Sequence, residues 1–254
     1  MRPTVSVIMN SLNGARYLRE ALESVMAQTY QDFDVIFWDD GSVDDSVRIA
    51  KSYGRRVHVY NKSLNCRLGH ARQCAINEAT GRYVAILDCD DTWEPLKLER
   101  QVAWMEKHPR VLLLASDCWV IDAKGRRQRR FFDRAPFPDG DPYRALLTGR
   151  NFLASPTLFV RHMQEPRFQA TYCYAELYDW CVQMAKYWPI DALPQPLASY
   201  RVHPWNRGGT GCLGMTKEVL DVMQRHRQGA PMAQYVREAV LWARYGWQRL
   251  IGAT

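Results

Sequence analysis

Four short apolar runs separated by stretches of helical periodicity predict an α/β fold on a mainly parallel sheet. Two further observations support that class. Each helical stretch is long enough for a right-handed crossover, and three of the runs end in a polar cluster, as strands do when they deliver ligand-binding groups to one sheet edge.

The runs cover residues 5–9, 33–38, 57–60 and 83–87. Residues 15–28 follow helical spacing, with Leu18, Leu22, Val25 and Met26 on one face. Ser42, followed three residues on by Asp45, reads as the N-cap of a second helix. Residues 69–79 form a third helix stopped by Thr80-Gly81, and residues 95–108 a fourth ended by Pro109. The rhythm then changes. Residues 111–121 and 126–132 read as a strand and a hairpin around Asp122-Ala123-Lys124-Gly125. Pro136, Pro138, Gly140 and Pro142 mark a loop. A short strand at 157–160, a helix at 176–187 and a strand at 197–202 follow. Arg207-Gly208-Gly209-Thr210-Gly211 reads as a flexible loop, and 215–227 and 232–251 as two C-terminal helices.

The bulk composition narrows the function classes. With 254 residues, 47% hydrophobic and 24% charged, the chain has the make-up of a soluble globular protein. No apolar run approaches the roughly 18 residues of a membrane span, and the first residues turn polar too soon for a signal peptide. Seven scattered cysteines with no Cys-x-x-Cys pair predict reduced thiols in a cytoplasmic protein, against a zinc site or a disulfide frame. The net charge is +7, and Lys124, Arg126, Arg127, Arg129 and Arg130 fall close together. That run reads either as a solvated hairpin tip or as an attraction for an anionic surface or pyrophosphate-linked ligand. No nucleic-acid recognition module is present, so nucleic acid is not expected as a partner.

The polar clusters are Asn10-Ser11-Leu12-Asn13, Asp39-Asp40-Gly41-Ser42 and Asp88-Cys89-Asp90-Asp91. The last carries three carboxylates at the end of an apolar run. Such neighbours repel unless a cation sits among them, and hard oxygen donors suit Mg²⁺ or Mn²⁺ with positions open for substrate phosphates. The plainer alternative is an acidic turn capping the next helix, since Asp91-Thr92 precedes Glu94-Pro95.

Taken in order, these residues resemble family 2 of the nucleotide-sugar glycosyltransferases. Residues 6–13 stand where that family has a strand ending in Pro-Thr-Tyr-Asn, and Gln28-Thr29-Tyr30 precedes its Asp-Asp-Gly-Ser. Asn65 with Ala71-Arg72-Gln73 is similar to its Asn…Ala-Arg-Asn helix start. The stretch from Gly81 to Asp91 resembles its Gly-x-Tyr-hydrophobic-Asp-x-Asp-Asp element. Glu176-Leu177-Tyr178-Asp179 is similar to Glu-Asp-Tyr-Asp, and Tyr200-Arg201-Val202-His203 to Tyr-Arg-x-His.

The resemblance implies a GT-A fold: a Rossmann-like, mainly parallel sheet sandwiched by helices, with a smaller mixed C-terminal part. Residues 1–210 would form the catalytic domain, with a nucleotide-binding half at 1–110 and an acceptor-side half at 111–210, and residues 211–254 a helical extension. It implies a metal-dependent, inverting transfer of a sugar from a nucleotide diphosphate sugar, UDP being the commonest choice. The acceptor would be a hydroxyl of a glycan or a lipid-linked saccharide, as in bacterial surface polysaccharide synthesis. The cofactor would be Mn²⁺ or Mg²⁺, with Asp90 as direct ligand, Asp88 beside the ribose or sharing the metal, and His203 completing the shell. Asn10, Ser11, Asn13, Asp39, Arg72, Asp88 and Cys89 would face the nucleotide. Asp39 would accept from a pyrimidine imide N–H, with Arg72 beside the same base. The loop after Arg207 would close on the diphosphate.

The sequence departs from the family in two places. Asn10 and Leu12 replace proline and tyrosine in the first loop, and Leu177 stands where the family has the aspartate that acts as base. A leucine takes no proton, so Glu176, with its longer reach, becomes the first candidate and Asp179 the second. A protein of the same fold that binds sugar nucleotides without transfer is the alternative reading. Trp180, Tyr178 and Trp205 are candidates for a sugar-stacking wall or for core. The aromatic and arginine-bearing segment at 235–251 would either pack on the domain or lie against an anionic membrane.

Overall fold

The computed structural model describes residues 2–61, 66–206 and 213–227. In chain order these form β1 (Val5–Ser11), α1 (Ala15–Met26), β2 (Phe33–Asp39), α2 (Ser46–Lys51), β3 (Val57–Asn61), α3 (Leu68–Glu78), β4 (Tyr83–Ile86), β5 (Thr92–Trp93) and α4 (Lys97–Lys107). There follow β6 (Leu113–Ile121), β7 (Arg127–Arg130), α5 (Pro142–Leu147), β8 (Phe159–Arg161), α6 (Glu176–Tyr187), β9 (Ile190–Arg201) and α7 (Leu213–His226).

The strands join one sheet in the order β3-β2-β1-β4-β8-β6-β9-β5, with β7 paired to β6. The β1–β2, β1–β4 and β2–β3 pairs are parallel, as the alternation of strand and helix predicts. β8 then runs antiparallel to both β4 and β6, so the second half of the sheet is mixed. The change comes where the sequence rhythm breaks.

Both faces of the central strands are covered, which is why their sequences are continuous apolar runs rather than alternating ones. Ile8, Ile36, Val84 and Ile86 join one core with α3 and α6 residues such as Ala75 and Val182. Val7, Phe37, Ala85 and Leu87 join the other with Leu18, Leu22 and Val25 of α1 and Leu98 and Met105 of α4. Each such aliphatic side chain contributes about 2 kcal/mol of burial free energy. This two-sided packing holds the ends of β1, β2 and β4 side by side.

Several local expectations change. Ser42 does not cap α2, which starts at Ser46. Asp39 instead closes the turn, its Oδ2 accepting the Gly41 and Ser42 amides at 3.1 and 2.9 Å. Gly41 has φ of 96°, a left-handed value that a β-carbon would strain. The Ser42 hydroxyl accepts the Asn13 amide at 2.8 Å, and Asn13 Oδ1 accepts the Val43 amide at 2.9 Å, so the loops after β1 and β2 are stitched together.

β9 begins seven residues before the expected 197, and Pro194 and Pro196 within it hid the strand. Its pairing with β6 shifts register around Asp117, which accommodates the prolines. α5 forms inside the expected proline-rich loop. Pro142 sits in its first turn and the Asp141 carboxylate accepts the Tyr143 and Arg144 amides.

The basic hairpin is largely neutralised. Arg126 pairs with Asp122 at 3.3 Å, Arg127 with Glu94 at 2.5 Å, and Arg130 with buried Asp117 at 2.5 Å. Among the described residues no helix is long and apolar enough to cross a membrane. Asn65, the loop at 207–211 and the helix expected at 232–251 lie outside the described residues.

Candidate functional site

A cavity of ≈ 470 Å³ opens beyond the carboxyl ends of β1 and β4, between the N-termini of α3 and α6. Asn10, Ser11, Asn13, Arg72, Asp88, Cys89, Asp90, Glu176 and His203 all line it. Residues far apart in sequence meet here because parallel strands deliver their carboxyl ends to one edge. The loops after β1 and β4 touch closely. A β-carbon on Gly14 would sit 2.5 Å from Cys89 Sγ and 2.9 Å from Ser11 Oγ, so only glycine lets β1 and β4 converge there. Burial, together with Asp90 and Asp88, pushes the Cys89 thiol well above its usual range, so it stays protonated.

Two ionic arrangements organise the carboxylates. In the first, the buried Arg72 guanidinium lies between Asp88 Oδ1 at 2.6 Å and Glu176 Oε1 at 3.1 Å. Burial works against its charge, yet Asp88 and Glu176 outweigh that and raise its pKa. Asp88 Oδ2 accepts the Ser155 hydroxyl at 2.7 Å, so both Asp88 oxygens are engaged. Burial raises the Glu176 pKa, opposed by Arg72.

In the second, His203 Nε2 lies 2.9 Å from Asp90 Oδ2, and Asn206 Nδ2 donates to the same oxygen at 3.3 Å. The Trp205 amide donates to His203 Nδ1 at 3.2 Å, which puts the ring hydrogen on Nε2, directed at Asp90. The Tyr17 ring stacks on His203 with centroids 5.2 Å apart, and the Arg201 guanidinium lies 4.5 Å from the centre of that tyrosine.

Asp91 does not cap a helix. It is buried, and its Oδ1 accepts the Arg201 amide at 2.7 Å. Burial, then Asp90 and Asp88, push its carboxyl well above the usual carboxylate range.

Two expected site residues do not face the cavity. Asp39 is fully buried behind it, and Asp40 lines it in its place. The Cys66 thiol donates to Asp40 at 3.3 Å, and burial with this contact pushes that thiol up to about 12. Asp179 is fully buried on α6, 2.9 Å from His226 Nε2 and accepting Gln183 Nε2 at 2.7 Å. A helix turns about 100° per residue, so Glu176 and Asp179 need not share an aim, and here Glu176 alone of the two lines the cavity. Leu177 also lines it, while Trp180 is buried core stacked on Phe168.

Ser155, Asn206 and Cys66 were not singled out from sequence, and Asp40 was named only within the Asp39-Asp40-Gly41-Ser42 cluster. Asn206 alone had a local signal, three residues beyond His203.

Buried polar atoms without a hydrogen-bond partner gather at this place. Among the described residues those on the cavity wall include Asn10 Nδ2, Ser11 Oγ, Arg72 Nε and Glu176 Oε2. Buried polar groups are nearly always paired, so a cluster of orphans on one cleft is the mark of an absent polar ligand.

Among the described residues no group of three His, Cys, Asp or Glu side chains is gathered to hold a metal alone. Asp90 and His203 are two converging donors on the cavity wall. They fit a cation of the Mg²⁺ or Mn²⁺ type whose remaining positions go to substrate phosphates and water. Asp88 is the weaker donor, because Arg72 and Ser155 occupy its oxygens.

A putative glycosyltransferase, EpsE of Bacillus subtilis, is 37% identical over 140 residues, covering 54% of this chain and 50% of its own. The chain therefore spans about half the length of that relative. TarS of S. aureus in complex with UDP-GlcNAc superposes with a TM-score of 0.70 at 19% identity, over 100% of this chain and 76% of that one. The mannosyltransferase PcManGT of Pyrobaculum calidifontis, in complex with GDP-Man and Mn²⁺, gives a TM-score of 0.66 at 17% identity, over 100% and 74%. Both share the GT-A fold with this chain. The family profile described as glycosyl transferase family 2 matches residues 6–163, and the chain belongs to that family.

Proposed function

We propose that the protein transfers a sugar from a nucleotide diphosphate sugar to an acceptor hydroxyl with inversion, using Glu176 as general base. The observation that carries this reading is the cluster of orphaned polar atoms on the cleft, flanked by the Asp90–His203 pair. Asn10 Nδ2 is a free donor and Ser11 Oγ can donate or accept, which suits the polar edge of a nucleobase. A pyrimidine nucleotide is our choice, with UDP first.

Asp90 and His203 would hold a divalent cation. When bound, that ion supplies Lewis-acid stabilisation of the charge developing on the leaving diphosphate. Arg72 holds Asp88 and Glu176 in place. Glu176 Oε2 has no hydrogen-bond partner among the described residues and is the oxygen left to receive the acceptor proton. Its raised pKa brings it nearer the working pH, which favours a general base. The acceptor we assign is a hydroxyl of a glycan or lipid-linked saccharide.

Leu177 on the cavity wall favours one second reading, a binding protein without transfer. A radiolabelled transfer assay with a panel of nucleotide sugars and Mn²⁺ separates the two. The wild type is expected to transfer, and Glu176→Gln to lose about 10²- to 10⁴-fold in kcat with nucleotide affinity kept. Equal turnover by wild type and Glu176→Gln removes Glu176 as the base, and no transfer or donor hydrolysis by wild type leaves the binding-protein reading.

A further inference from the structure

We infer that Glu218 is a positioning residue, which reaches from α7 to clasp the turn before α6 and so aims Glu176 into the cavity. The inference rests on the proposed role of Glu176 and adds to it a residue from the C-terminal segment.

The reason begins at the start of α6. Its N-cap position is Ala175, which has no side-chain acceptor. A helix start needs acceptors for its free amides, and the first helical residue is Glu176 itself. A frayed first turn would swing that carboxylate away from Arg72 and the cleft.

An acceptor for the turn that leads into the helix, including the amide of the N-cap residue Ala175, comes from 43 residues further along the chain. Glu218 Oε2 accepts the amides of Tyr174 at 2.7 Å and Ala175 at 2.9 Å, and Oε1 accepts that of Cys173 at 3.0 Å. A carboxylate facing a helix N-terminus is also favoured by the helix dipole.

Further contacts hold the same face of α7 against the same turn. A β-carbon on Gly214 would sit 2.7 Å from the Tyr174 ring, so α7 approaches as closely as glycine permits. The Tyr172 hydroxyl donates to Asp221 Oδ2 at 2.5 Å. Gly214, Glu218 and Asp221 follow the i, i+4, i+7 spacing of one helix face. At the other end His226 Nε2 lies 2.9 Å from Asp179 Oδ1, one turn further along α6. Met215 and Val219, on the neighbouring face, line the cavity. α7 is therefore built into the site, and Glu218 is a polar link to the turn that precedes the helix carrying Glu176.

The test uses the full chain with three variants and three readouts: amide hydrogen exchange, UDP affinity, and kcat for transfer. In Glu218→Ala, exchange at residues 173–175 should accelerate by about tenfold or more. Its kcat should fall by about tenfold or more while UDP affinity stays within about threefold. Glu218→Gln keeps a carbonyl oxygen over the three amides and should return kcat to within about threefold of wild type. Should Glu218→Ala fail to fold, Glu218→Asp takes its place, because a shorter stem withdraws the carboxylate and should give the same loss. Wild-type kcat in the Ala or Asp variant overturns the proposal, as does a loss of UDP affinity in step with kcat, or no recovery in Glu218→Gln. Unchanged exchange at 173–175 overturns the clasp whatever the activity. A wild type that shows the protected turn but transfers no sugar refutes the transferase reading alone.

Discussion

The two carboxylate arrangements in the cavity are held by partners of different kinds. On one side Arg72, permanently charged and 3% exposed, braces Asp88 and Glu176. On the other Asp90 leans on His203, a neutral imidazole of the kind that also serves as a metal ligand. The first arrangement is built to stay fixed. The second can trade a hydrogen bond for a cation. The difference separates a scaffold that orients a base from a pair able to exchange partners when substrate arrives.

Removing the partner on each side should therefore cost unequal amounts. Arg72→Met leaves the Glu176 and Asp88 carboxylates without their counter-charge, and breaking such a buried pair costs about 3 kcal/mol or more. For a chain of this size that is a fall of roughly 10 °C in Tm, measured by differential scanning calorimetry. His203→Gln should lower stability by less than about 1 kcal/mol, since Asp90 is partly exposed and keeps the Asn206 contact. Equal losses from the two variants would erase the distinction.

A smaller effect, in pH, sharpens the same contrast. Burial raises the Glu176 pKa above its ordinary 4.5, and the base works only when deprotonated. Transfer should rise with pH through an acidic limb whose midpoint lies above 4.5, and Glu176→Gln should lack that limb. The stability contribution has the opposite sign. The folded protein binds this proton more tightly than the unfolded chain does. The contribution is thus greatest at low pH and declines as pH rises from the unfolded value through the folded one. An acidic limb at or below 4.5 would mean that Arg72 dominates over burial at Glu176.

What the sequence disclosed differs between these regions for a physical reason. β1, β2 and β4 are buried on both faces, so their apolar runs and polar ends stand out, and Asp88 and Asp90 could be picked out from them, whereas His203 was named only from the resemblance of Tyr200-Arg201-Val202-His203 to Tyr-Arg-x-His. The Arg72–Glu176 pair joins residues over a hundred positions apart, and no local period announces such a contact. β9 was half hidden by its prolines, and the helix start at Asp141-Pro142 was masked by a proline-rich surround. Asp179 looked equivalent to Glu176 on spacing alone. Only packing against α7, where His226 meets Asp179, shows that it belongs to the core side of α6. Glu218 was invisible for the same reason, although Ala175 at a helix start was a hint that an acceptor had to come from elsewhere.

The central claim is that Asp90 and His203 bind a divalent cation that in turn holds a nucleoside diphosphate. Isothermal titration of UDP into the wild type and Asp90→Asn, each with and without Mn²⁺, tests it most directly. The account predicts that Mn²⁺ tightens UDP binding by about tenfold or more in the wild type, a gain of roughly 1.4 kcal/mol, and gives no gain in the variant. UDP binding that is indifferent to Mn²⁺ in the wild type, or a metal gain that survives Asp90→Asn, would contradict it.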